Sequence, residues 1–206
     1  WLEKGWIDYV VPQLYWERGH KLADYDVLLK WWNDYAYGKH LYIGHGIYRA
    51  GTNDAWKSKD QIPDQINLLR SFKTTQGSVF YNSSTFAKNP NGWNDSLQNN
   101  YYKYPALVPP MPWLDDIAPD APSIQKKGGT NFVVNYNGKE KIKSFGIFSC
   151  GVGVKANAKN AQLVKLIIAN KTSAIDITSI LHKKNEKLYV GSVDLNNNVS
   201  GLVELN

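Results

Sequence analysis

Three apolar segments of strand length recur at intervals of roughly 32–36 residues in the first half of the chain, with helical patterns between them. This alternation constrains the fold more than any other feature. Tyr9–Tyr15 is the first strand candidate. Asp24 can cap a helix over Tyr25–Tyr37, where Leu28, Leu29, Trp32 and Tyr35 fall at helical spacing and Gly38 stops it. Trp31 and Trp32 read as helix-to-sheet core. Leu41–Ile47 is the second strand candidate. Ser58 can cap a helix with Pro63 in its first turn, and Ile62, Ile66, Leu69 and Phe72 form one apolar face. Ser78–Tyr81 is the third strand candidate, and a last helix is expected near Asn94–Tyr102. Strands alternating with helices build βαβ units around a parallel sheet. The repeat suits a (β/α)8 TIM barrel or a doubly wound sheet. Gly44–Gly46 sits inside a strand without the third glycine or the helix start of a phosphate loop, which argues against nucleotide binding.

The second half differs. All eight tryptophans lie between Trp1 and Trp113, and only Tyr136 and Tyr189 follow among the tyrosines. The break coincides with PALVPPMPWLDDIAPDAP, Pro105–Pro122. Proline holds itself and its predecessor extended, so this stretch reads as a semi-rigid linker. Beyond it, Asn131–Tyr136, Ile142–Ser149, Leu163–Ala169 and Lys187–Leu195 are short strand candidates between Gly, Asn and Lys clusters. They predict a small β-sandwich. The expected class is therefore α/β plus all-β, with domains over residues 1–113 and 114–206.

The formal net charge is +6, but the lysines of the second half (Lys126, Lys127, Lys139, Lys141, Lys143, Lys155 and Lys159 among them) are dispersed. They read as a solvated sheet face, not as a nucleic-acid patch. No apolar run approaches a membrane span. Cys150 is the single cysteine, so no internal disulfide forms. His20, His40, His45 and His182 lack metal-ligand spacing, and neither Ser83 nor Ser84 sits in a Gly-x-Ser-x-Gly elbow. No metal or cofactor is expected.

In a barrel the active site collects at the C-terminal strand ends. The first strand ends on Gln13, Tyr15 and Trp16, the second on His45, Tyr48 and Arg49, the third on Tyr81, Asn82 and Ser83. Gln13 and Tyr15 are two apart and share a side of the strand. Aromatic rings can cover the C–H face of a pyranose while amide, imidazole and guanidinium groups satisfy its hydroxyls. Gln13, Tyr15, Trp16, His45, Tyr48, Arg49 and Asn82 are thus the candidate substrate-binding residues. The same polar groups could instead be hydrogen-bonded inside the fold. Among the carboxylates, only Glu17 lies at the right end of a strand to be a catalytic candidate.

The segments GWIDYVVPQLYW, LYIGHGIYRAG, GSVFYNSSTF and YKYPALVPP, taken in order, resemble the last strands of the bacterial glycosyl hydrolase-like 10 family over about Trp1–Pro110. The resemblance implies that the three strands are barrel strands six, seven and eight. It implies that Gln13, Tyr15, Trp16, His45 and Tyr48 line a sugar cleft, and that the protein works outside the cytoplasm. KLYVGSVDLNNNVSG resembles the late strands of bacterial fibronectin type III-like modules, which act as spacers or packing partners.

Glycoside hydrolysis generally uses two carboxyl groups about 5–10 Å apart across the scissile bond. That pair is not legible here, so the main acids are expected outside this sequence and the chain alone is expected to be inactive. The chain opens on Trp1, not Met, which predicts that further residues precede it. A partial barrel has open edges, so it should need a partner surface, either its N-terminal half or a second copy. Two functions follow. One is part of a glycoside hydrolase acting on poly- or oligosaccharide. The other is a non-catalytic carbohydrate-binding protein. A purely structural domain is the third reading.

Overall fold

The computed structural model describes residues 1–170, 172–180, 183 and 185–205. His182, one of the four histidines read above, lies outside the described residues. The chain divides into two compact units, Trp1–Lys103 and Tyr104–Asn206. Mixed helices and sheets make up the whole, and the sheets of the second unit are antiparallel.

The first unit holds a three-stranded parallel sheet, β1 (Tyr9–Val10), β2 (His40–His45) and β3 (Thr75–Phe80), in that order. Between β1 and β2 runs α1 (Tyr25–Asp34), capped by the Asp24 side chain on the Asp26 amide. After β2 come a 3-10 turn (Ile47–Arg49), a short α2 (Asp54–Lys57) and α3 (Gln61–Arg70). After β3 follow α4 (Ser83–Ala87) and α5 (Trp93–Ser96), which continues as a π-helical turn over Leu97–Tyr101.

Three local expectations shift. β1 pairs over two residues only, and pairing resumes at a bridge between Gln13 and Gly44, because Pro12 removes a donor between them. Ser58 ends α2, and its hydroxyl reaches only the Asp60 amide, at 3.2 Å, so it acts one turn ahead of α3. Trp31 is half exposed, whereas Trp32 packs against the core, because α1 turns its Leu29 side to the sheet.

Alternation along the strands decides the two sheet faces. Leu41, Ile43 and His45 of β2 point to α1 and α3 and are fully or almost fully buried. They meet Tyr25 and Leu29 of α1 and Ile62, Ile66 and Leu69 of α3 in one core. The opposite face carries Tyr9, Tyr42 and Val79, and both Tyr9 and Val79 are exposed.

The second unit has two antiparallel sheets. β4 (Ser123–Gly128), β5 (Asn131–Asn135) and β8 (Thr172–Asp176) form one, in that order. β6 (Ile142–Gly151), β7 (Gln162–Ile168), β9 (Glu186–Asp194) and β10 (Val203–Glu204) form the other, in the order β10-β9-β6-β7. Phe132, Val134 and Ile175 of the first share a buried cluster with Phe145, Ile147, Leu188 and Val190 of the second. Within the Pro-rich stretch, Pro119 and Pro122 are buried and Asp115 accepts from the Asn196 side chain. Among the described residues no helix is long and apolar enough to cross a membrane.

Candidate functional site

Three tyrosines, one from the C-terminal end of each parallel strand, meet. Tyr15 stands 5.7 Å from Tyr48 in an edge-to-face arrangement and 6.0 Å from Tyr81 in a stacked one. Tyr48 and Tyr81 are 5.9 Å apart, again edge to face. These are favoured geometries for aromatic pairs. Tyr48 and Tyr81 are about half exposed and Tyr15 is half buried. Burial raises the Tyr15 phenol above its ordinary pKa, and the neighbouring Tyr48 and Tyr81 add to the rise.

The backbone explains the convergence. The Gly44 amide donates to Pro12 O at 2.9 Å and Leu14 donates back to Gly44 O at 3.0 Å, which lays the first strand end along β2. A Cβ on Gly46 would stand 3.0 Å from Tyr15 Cβ, and one on Gly44 3.1 Å from Pro12 O. The two glycines flanking His45 therefore make room for the Tyr15 segment. The 3-10 turn after β2 turns out Tyr48, and the Tyr81 amide donates to His45 O at 3.0 Å. The Tyr81–Asn82 peptide is cis.

His45 is brought to this end of the sheet but has no exposed surface. Its Nδ1 is 2.9 Å from Gln65 Oε1 and its Nε2 3.0 Å from Ser78 Oγ. Its ring lies between those of Tyr25 and Phe80. Desolvation pushes its pKa down to about 4, so it is neutral. A ligand at the tyrosines does not touch it in this arrangement.

Glu17 is equally committed. Its two oxygens accept from Trp56 Nε1 at 2.9 Å and from Asn53 Nδ2 at 3.1 Å. Desolvation works against its charge, but its own backbone amide, Trp56, Asn53 and nearby His20 outweigh this and hold the pKa below the usual carboxyl value. A general acid needs a raised pKa and a free proton, and Glu17 has the opposite setting.

The remaining residues divide. Gln13 is exposed at the strand end. Trp16 is half buried and its carbonyl accepts from Gln65 Nε2 at 3.1 Å. Arg49 lies over the Trp56 ring at 5.8 Å, and its buried Nε has no hydrogen-bond partner among the described residues. Asn82 caps α4, accepting from the Thr85 amide at 2.9 Å and the Ser84 hydroxyl at 2.7 Å. The third ring of the cluster, Tyr81, was legible only as a strand-end residue. Among the described residues no three His, Cys, Asp or Glu side chains gather as a metal-holding group. The arrangement offers an aromatic wall with phenol hydroxyls, an exposed amide and a guanidinium at one end of the sheet.

No family model matches the sequence. The chain is 41% identical over 130 residues to glycosyl hydrolase YngK of Bacillus subtilis, covering 61% of this chain and 26% of that protein. It is 32% identical over 90 residues to glycosyl hydrolase DigH of Escherichia coli, covering 39% of this chain and 20% of that protein. The chain thus spans about a quarter or less of the length of these relatives. These similarities support a glycosyl hydrolase-like family for the chain.

Proposed function

We propose that this chain supplies one wall of a carbohydrate cleft in a glycosyl hydrolase-like protein acting on poly- or oligosaccharide. The observation that carries the reading is the meeting of Tyr15, Tyr48 and Tyr81 from three successive strand ends. A pyranose presents an apolar C–H face, which an aromatic ring covers, and equatorial hydroxyls, which phenols, Gln13 and Arg49 can bond.

The sheet β1–β3 is read as consecutive strands of a (β/α)8 barrel. Parallel sheets are normally covered on both faces, and exposed Tyr9 and Val79 on the second face support completion by further strands. The second unit is read as a fibronectin-like β-sandwich that packs or spaces and does not bind sugar. With a polymeric glycan as substrate, the protein works outside the cytoplasm. The acids that cleave the bond come from residues outside this chain, a reading supported by the full engagement of Glu17.

The test is a glycan array probed with the chain and with Tyr15→Ala and Tyr81→Ala, followed by calorimetry on the strongest glycan. The reading expects a bound polysaccharide whose affinity both substitutions lower by about tenfold or more, the cost of truncating an aromatic anchor. Unchanged affinity in both variants refutes the site. Retained binding without hydrolysis by the intact protein would favour the non-catalytic carbohydrate-binding reading.

A further inference from the structure

Gln65 is a fully buried amide on a helix face otherwise made of Ile62, Ile66 and Leu69, with Gln61 at its start. A polar side chain there is costly unless both of its ends are bonded. Both are. Nε2 donates to Trp16 O at 3.1 Å, and Oε1 faces His45 Nδ1 at 2.9 Å. Since Trp16 O is an acceptor only, the amide orientation is fixed, Oε1 must accept, and His45 carries its proton on Nδ1. His45 Nε2 is then an acceptor, and Ser78 Oγ at 3.0 Å is its donor. The lowered pKa of His45 agrees with this neutral tautomer. One helix side chain therefore joins the end of the first strand to β2 and β3 through a four-group chain: Trp16 carbonyl, Gln65, His45, Ser78.

Trp16 directly follows Tyr15, and Tyr15 is the ring that contacts both other tyrosines. The first strand has only a two-residue ladder and one bridge to hold this segment from the β2 side. We propose that Gln65 is a positioning residue of the candidate site, holding the Trp16 carbonyl so that the Tyr15 ring sits against Tyr48 and Tyr81. It acts through the backbone of its neighbour and touches no ligand. The assignment rests on the strand ends being the site.

The test uses ring-to-ring cross-peaks among selectively labelled tyrosines in the full chain, with no carbohydrate present. Failure here leaves the glycan reading intact, and the cross-peaks read the placement of Tyr15 against Tyr48 and Tyr81 whether or not a glycan binds. Gln65→Met removes both bonds at similar volume. Gln65→Glu keeps an acceptor for His45 but has nothing to donate to Trp16. Both variants should lose the Tyr15–Tyr48 and Tyr15–Tyr81 cross-peaks while keeping Tyr48–Tyr81. Ile66→Val, a mild core change on the same helix, should keep all three. In the unsubstituted chain, nitrogen shifts should place the His45 proton on Nδ1. Retention of the Tyr15 cross-peaks in either Gln65 variant overturns the proposal. So does their equal loss in Ile66→Val, or failure of both Gln65 variants to fold, which would make Gln65 a folding residue.

Discussion

The carboxylate of Glu17 accepts the indole N–H of the fully buried Trp56 at 2.9 Å. With Asn53 on the other oxygen, it ties the loop after the first strand to α2 beyond the second. Glu17→Ala orphans a buried indole donor and should destabilise the first unit by about 2 kcal/mol, and Glu17→Gln by about 1 kcal/mol. Because the folded pKa is lowered, the stabilisation is present above the ordinary carboxyl range and is lost as pH falls through the folded value. Chemical denaturation checks both. Abolished hydrolysis in an otherwise stable Glu17→Gln intact protein would refute the tie as its main role.

Tyr15 should ionise later than an ordinary phenol. Burial is the larger cause, so replacing both neighbours, Tyr48→Phe with Tyr81→Phe, should move it only part of the way back. Carbon shifts of labelled tyrosine rings followed through alkaline pH report this directly. An ordinary pKa for Tyr15 in the unsubstituted chain would mean that its ring stands out in water, away from the cluster.

Much of the first unit was legible because its signals are local. Ile62, Ile66 and Leu69 repeat at helical spacing and all are buried. Asp24 caps as its side chain predicts. β3 starts earlier than expected because Thr75, Gln76 and Gly77 carry no apolar pattern, yet pair with β2. His45 shows a signal that parity could have caught: it alternates with Leu41 and Ile43, so it faces the helices, while Gly44 and Gly46 face Tyr15. The bond from Glu17 to Trp56 spans 39 residues and left no local trace. In the second unit, β4, β8 and β10 were missed because SIQKKG, TSAID and VE are polar or very short.

Gly46 is required for space. Its φ of −87° is open to any residue. A methyl group there would press on Tyr15 Cβ at 3.0 Å and Cγ at 3.1 Å. Gly46→Ala should cost about 1–3 kcal/mol, as overpacking does, and displace Tyr15 from its two partners. Gly201→Ala, where a Cβ meets nothing within 4 Å, is the control and should be near neutral. Thermal denaturation with the tyrosine cross-peaks reads both effects. A Gly46→Ala protein of unchanged Tm and unchanged ring contacts would show that the Tyr15 segment is not held against β2.

His45 should make the fold sensitive to acid. Its folded pKa is about 4 against an ordinary 6.5, since burial between Tyr25 and Phe80 disfavours the charged ring and the Gln65 bond only partly offsets this. Above about pH 6.5 both folded and unfolded chains hold a neutral imidazole, and the group is indifferent to pH. As pH falls from 6.5 towards 4, the unfolded chain takes the proton and the folded protein does not, so stability is lost across that window. The full loss is about 3 kcal/mol. Denaturant unfolding at steps between pH 7 and 4 should give the unsubstituted chain the steeper decline, and His45→Gln a shallower one by that amount. Other carboxylates titrate in the same range, but their contribution cancels in the difference. Parallel declines would mean that His45 takes up its proton in the folded protein as readily as in the unfolded chain, so that its Nε2 is not kept as an acceptor for Ser78.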